Sequence, residues 1–181
     1  MYDSFLQVGQ VGVPTVAAVR GAAVGAGLNL ALATDLRIVA NGALIRSGFM
    51  RAGIHPGGGF FTLASRLGGR EAAAALGIFG QDIPGERAAA LSVAWEAVPD
   101  DDVETRAMQV AQSAATDPEL VRQMIATFRA ELGPPSVPWS VAVEMERGVQ
   151  MWSKRRRSIR LDAAHETSQP TNQANAKTVT A

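Results

Sequence analysis

Three glycines, Gly21, Gly25 and Gly27, lead up to Asn29, and three more, Gly57, Gly58 and Gly59, follow His55. Each cluster stands directly before a run with helix-forming composition, "LNLALAT" and "FFTLASRL". The first N–H groups of a helix have no partner within it and sit at the positive end of its dipole. Bare backbone at that point makes a socket for negative charge, either a phosphate or a carbonyl oxygen that becomes an oxyanion during reaction. The dinucleotide form of the phosphate reading needs a glycine three places beyond Gly27, where Leu30 stands, and no P-loop lysine follows. Close packing of a helix is the non-chemical use of the same glycines, and local spacing leaves both uses open.

Few other side chains offer chemistry. His55 is the sole histidine before the C-terminal tail, and an imidazole there could serve as an acid or base, although a loop histidine bonded to backbone is the plainer reading. Ser47 and Arg51 flank Phe49 closely enough to share a cavity with it. Asp35 falls at the far end of its helix, where capping or an ion pair is expected rather than catalysis. No cysteine is present, which removes disulfides, thiolate metal sites and cysteine nucleophiles; no metal site is expected.

The totals exclude further classes. Seventeen Lys and Arg balance 17 Asp and Glu, so no global field draws the chain to nucleic acid or an anionic membrane. The apolar stretch from Gly21 to Thr34 is too short for a bilayer and is bracketed by Arg20 and Asp35. It reads as a buried core helix. The start, "MYDSFLQVGQ", lacks the basic and apolar run of an export signal, and with the missing cysteines it points to the cytoplasm.

The elements that must hold these residues follow from the same string. "VPTVAAVRG" reads as a buried strand, then come the glycine turn, the buried helix, and extended segments in "LRIVANGALIRSGF" about Asn41-Gly42. The second glycine loop opens a helix that ends at Gly68-Gly69, followed by the alanine helix "REAAAALGIFG". "PGERAAALSVAWEAVP" passes from helix to a strand before Pro99. Acids open the helix at "DDDVETRAMQVAQSAAT", and Asp117 with Pro118 caps the next. A last helix spans 139–157, its "KRRR" complementing the dipole. The chain thus divides into a core over 1–99, a helical region over 100–160 suited to oligomerisation, and a polar tail over 161–181 expected to be disordered.

The segment "PTVAAVRGAAVGAGLNLALATDLRIVANGALIRSGFMRAGIHPGGGFFTLASRLGGREAAAALGIFGQDIPGERAAALSVAWEAV" closely resembles the enoyl-CoA hydratase/isomerase (crotonase) superfamily. It carries that family's strand, its G-x-A-x-G-G-G turn with Ala26 in the sixth place, its helix ending in aspartate, and its G-x-x-P-G-x-G loop. The resemblance implies an α/β fold, a partial crotonase-like spiral of ββα units followed by C-terminal helices. It implies an acyl-CoA thioester as ligand, with coenzyme A as part of the substrate and no separate cofactor, and assembly as a homotrimer or hexamer. It further implies an oxyanion hole in which the Ala26 N–H grips the thioester carbonyl, with Gly25, Gly27, Ser47, Phe49 and Gly57 as substrate-binding positions.

Two departures matter. The family's hydratases bring two glutamates to the substrate, and the matching positions here hold Asn29 and Phe49. Asparagine orients a water but accepts no proton at neutral pH, and phenylalanine does neither. Asn29 and His55 are therefore the catalytic candidates left. A complete member also carries a further stretch before "PTVAAV" and a different C-terminal signature, so the chain resembles an N-terminally shortened member. The expected activity is hydration or isomerisation of enoyl-CoA in fatty-acid metabolism. The alternatives are a non-catalytic relative that binds acyl-CoA or assembles with longer copies, and, from another class, a dinucleotide-binding domain.

Overall fold

A computed structural model of the chain describes residues 2–131 and 138–168. The helix α1 (Tyr2–Gln10) leads into β1 (Val16–Val19), β2 (Ala22–Val24) and α2 (Ala26–Leu32). Then come β3 (Leu36–Ala40), β4 (Leu44–Arg46), the short α3 (Phe49–Ala52) and the long α4 (Phe60–Gly77). A third pass gives β5 (Asp82–Pro84), α5 (Gly85–Ala90) and β6 (Glu96–Val98). A 3-10 turn at Asp100–Asp102 opens α6 (Val103–Ala114), followed by α7 (Pro118–Glu131) and α8 (Trp139–Ser168).

Among the described residues the strands form two three-stranded sheets, ordered β1-β3-β6 and β2-β4-β5. Every pairing is parallel except β4 with β5. The first two passes each place one strand in each sheet and then a helix, the expected ββα spiral, whereas the third sets α5 between β5 of one sheet and β6 of the other. Strand β2 was hidden inside the expected glycine turn: three residues of alanine and valine are too few to show a period of two. Asn41-Gly42 does not close a hairpin. It carries the chain from β3 in one sheet to β4 in the other, with Ala43 N–H bonded to Ala40 O at 2.9 Å.

The core lies between the sheets and the helices, with Leu28 and Leu32 from α2, Ile38 and Val39 from β3, and Phe60 and Leu76 from α4, all nearly sealed from solvent. Helix α4 breaks at Gly69, where φ 76° and ψ 177° leave the helical region. This is the expected end at Gly68-Gly69 and the expected restart as an alanine helix. Asp117 caps α7 through Leu120 N–H, 3.0 Å from its carboxylate. Helix α8 runs past its expected end at Arg157 to Ser168, so residues 161–168 are helical instead of tail; 169–181 lie outside the described residues.

Candidate functional site

The first glycine turn is open. Gly25 adopts φ 55° and ψ −117°, a combination closed to side chains with a Cβ, and its N–H is tied to Arg46 O of β4 at 3.1 Å. That bond fixes the start of α2 against the second sheet. The first bond within the helix runs from Asn29 N–H to Gly25 O at 3.0 Å, so the amides of Ala26, Gly27 and Leu28 have no acceptor inside it. Ala26 and Gly27 are exposed, and a Cβ placed on Gly27 would meet nothing within 4 Å. Beside this turn lies a cavity of about 470 Å³ with mainly apolar walls, including Val8, Val19, Ala22, Gly27 and Leu30. A larger cavity of about 790 Å³ sits at the opposite end of α2, around Asp35, Arg122 and Arg129, away from the glycine turn.

The second glycine loop is closed. Gly58 and Gly59 have φ of 73° and 77°, but their free faces are filled. A Cβ would fall 2.7 Å from Asn29 Nδ2 at Gly58, 2.3 Å from the Trp139 ring at Gly59, and 2.1 Å from the Gln150 amide at Gly57. The helix start it leads into already meets an acidic side chain. Glu146, 9% exposed on α8, accepts the Gly59 N–H at 2.8 Å, and the amides of Phe60 and Phe61 face it closely enough to favour its charge. Burial pushes the Glu146 carboxyl above the usual carboxylate range, while these three amides and the nearby His55 oppose that rise. Two similar-looking glycine runs thus do different work.

Asn29 joins the two turns. It is 1% exposed, and its Nδ2 donates to Gly57 O at 2.6 Å. Its Oδ1 is buried with no hydrogen-bond partner among the described residues. Turning the amide over would bring Oδ1 against Gly57 O, so the hydrogen bond fixes which atom is left over. An orphaned buried acceptor costs roughly 1–3 kcal/mol unless a donor such as a water or a ligand hydroxyl reaches it.

The other candidates are placed as follows. Ser47 is buried, and its hydroxyl donates to Leu76 O at 2.5 Å. Phe49 belongs to the core, its ring edge-on to Phe60 with centroids 5.5 Å apart. Arg51 pairs with Asp82 at 3.0 Å on the surface side of β5. The His55 Nδ1 lies 2.7 Å from Pro56 O and its ring packs edge-on to Phe61, which is the loop histidine bonded to backbone. Asp35 accepts the Thr15 N–H at 2.7 Å and pairs with Arg129 at 2.9 Å, an ion-pair role as expected. Ala26, Gly27 and Asn29 therefore gather at one end of α2, whereas Ser47, Phe49 and Arg51 turn to the core or to Asp82.

Sequence reading missed the partners of the second loop. Trp139, Val143, Glu146, Gln150 and Ser153 form one stripe of α8 at helical spacing. Their mixed polarity gives no apolar period, so only the three-and-four spacing could have revealed them. Arg37 was missed too: it is buried in β3, donates to Val93 O at 2.8 Å and Thr34 O at 2.7 Å, and has its pKa lowered to about 10 by burial. Among the described residues no cluster of His, Asp or Glu could hold a metal ion, and no helix is long and apolar enough to cross a membrane.

Comparison with known proteins gives the context for this arrangement. A family model described as enoyl-CoA hydratase/isomerase matches residues 1–172. The Mycobacterium tuberculosis H37Rv protein named "Probable enoyl-CoA hydratase EchA14" is 44% identical over 138 residues, covering 76% of this chain and 53% of that protein. The 1,2-epoxyphenylacetyl-CoA isomerase of Escherichia coli K12 is 34% identical, covering 62% of this chain and 44% of its own length. In three dimensions an enoyl-CoA hydratase from Mycobacterium avium subsp. paratuberculosis K-10 superposes with a TM-score of 0.78 at 21% identity, over 94% of this chain and 69% of that one. The chain spans about half the length of the curated relatives it matches. With the spiral of ββα units, the open glycine turn and a family model that matches nearly its whole length, the chain belongs to the enoyl-CoA hydratase/isomerase family.

Proposed function

We propose that this chain binds an acyl-CoA thioester at the first glycine turn, with the Ala26 N–H donating to the thioester carbonyl oxygen. One observation carries the reading: of the two glycine-led helix starts, only the first has exposed amides without acceptors, and an apolar cavity lies beside it. Charge that builds on the carbonyl oxygen meets a fixed N–H dipole there, and a donor of this kind is worth roughly 3–4 kcal/mol in a transition state. The acyl chain takes the apolar cavity. Asn29 offers its unpartnered Oδ1 to a water or a substrate hydroxyl close to the reacting carbons.

The reaction is hydration or isomerisation of an enoyl-CoA in fatty-acid metabolism. Hydration adds water across the double bond, with hydroxyl to Cβ and a proton to Cα, and some group must take the proton from water. Asn29 orients that water without accepting the proton, and Phe49 is in the core. General acid–base help is typically worth about 10²- to 10⁴-fold, so turnover well below that of a two-glutamate hydratase is expected. Steady-state kinetics with crotonyl-CoA and longer enoyl-CoA substrates, alongside calorimetric titration of acyl-CoA, test the reading. Micromolar binding weakened by Gly25→Ala supports it; no binding of any acyl-CoA removes it. Binding without turnover would establish the second reading, a non-catalytic acyl-CoA-binding member, which the missing carboxylates favour. The active form is a homotrimer or hexamer in the cytoplasm.

A further inference from the structure

The second glycine loop is gripped from both sides. On one side α8 presents Trp139, whose Nε1 donates to Gly58 O at 3.0 Å, Glu146, which accepts the Gly59 N–H at 2.8 Å, and Ser153, whose Oγ accepts the His55 N–H at 2.9 Å. On the other side Gly57 O receives Asn29 Nδ2. The direction of that carbonyl depends on the left-handed conformations of Gly58 and Gly59, and these are held by what the following amides bond to. Trp139 and Ser153 each make a single neutral contact with the loop. Glu146 alone brings a carboxyl group to the start of α4, where it accepts the Gly59 N–H and where the helix dipole also favours a carboxylate.

We propose that Glu146 is a positioning residue: its carboxylate locks the Gly57–Gly59 loop so that Gly57 O holds Nδ2 of Asn29 and leaves Oδ1 the unpartnered atom. The inference deepens the functional reading and rests on it only for the meaning of Oδ1; the coupling from Glu146 to Asn29 is a separate physical claim. Without the carboxylate, the Gly59 amide at the buried start of α4 loses its acceptor and the loop relaxes to find another. Gly57 O then leaves Asn29, whose amide is free to turn over.

The test uses the full chain labelled with ¹⁵N-asparagine and compares the wild type with Glu146→Ala, Glu146→Gln and Ser153→Ala. In Glu146→Ala the Asn29 side-chain NH₂ resonances shift, and exchange of the Gly59 amide, read on uniformly labelled protein, speeds about tenfold or more. Glu146→Gln keeps one acceptor oxygen in nearly the same shape and gives a smaller change of the same kind. Ser153→Ala loosens α8 on the same face and leaves the Asn29 signals in place. Asn29 signals that stay put in a folded Glu146→Ala, or that move as much in Ser153→Ala, overturn the proposal. If Glu146→Ala does not fold, unmoved Asn29 signals in Glu146→Gln overturn it alone. In turnover, kcat falls while KM stays within about twofold, because carbonyl binding at Ala26 is untouched. A wild type that turns over nothing would sink the enzymatic reading and leave the resonance test standing.

Discussion

At the scale of single residues, the site turns on which side chains the fold leaves unsatisfied. Asn29 reaches Gly57 O with its donor half, so Asn29→Asp sets a carboxylate oxygen against that carbonyl. The expected cost is about 1–3 kcal/mol in urea denaturation. Phe49→Glu is harsher. It removes a core ring edge-on to Phe60, worth about 3–5 kcal/mol for the lost packing alone, and buries a charge in its place. Near-UV circular dichroism of that variant is expected to show lost tertiary packing. The candidate site was half legible at this scale. The open turn at Gly25, Ala26 and Gly27 and the partner Asn29 follow from glycine spacing and resemblance. Glu146 did not, because nothing local in "VEMERGVQ" marks a glutamate that meets a loop nearly ninety residues earlier.

At the scale of elements, two features set the geometry of the glycine turn. Gly25→Ala forces a Cβ into a backbone conformation that only glycine adopts freely, at a cost of about 1–3 kcal/mol, measurable as a lower urea midpoint. Acyl-CoA affinity is expected to fall with it, since the Ala26 amide is aimed by the same dihedrals. The second feature is the pin between β4 and β5. Arg46 Nε lies 2.8 Å from Asp82, and Arg51 approaches the same carboxylate. Arg46 foremost holds the Asp82 carboxyl below the usual carboxylate range. A carboxyl whose pKa is lowered by folding adds stability above its unfolded pKa and loses it as pH falls through the lower folded value. The stability difference between wild type and Asp82→Asn is therefore expected to be full at neutral pH and to disappear on acidification below about pH 4. Urea midpoints across that range check it. Most helices and the longer strands were readable from composition and punctuation, but α1 and the short α3 were not; β2 and β5, three residues each, were missed because their existence depends on pairing with β4 rather than on any pattern of their own.

At the scale of the molecule, much apolar surface remains uncovered. Phe79 is 70% exposed, Trp95 65% and Trp152 59%. Scattered apolar residues are ordinary on a protein surface, but several large aromatics in one small chain are what an oligomer would cover. Light scattering is expected to give a mass that is a multiple of 19.0 kDa, and a monomer at micromolar concentration would refute the assembly reading. The central place of β3 has a further consequence. One flanking partner, β1, precedes it, whereas the other, β6 at Glu96–Val98, lies far downstream. At a ribosomal pace of about 5–20 residues per second, that flank of β3 waits on the order of 3–12 s for its mate. During the wait a naked apolar ribbon can pair with the wrong neighbour, so the yield of dispersed product from a crowded translation reaction should rise when nascent chains are diluted or given a holdase.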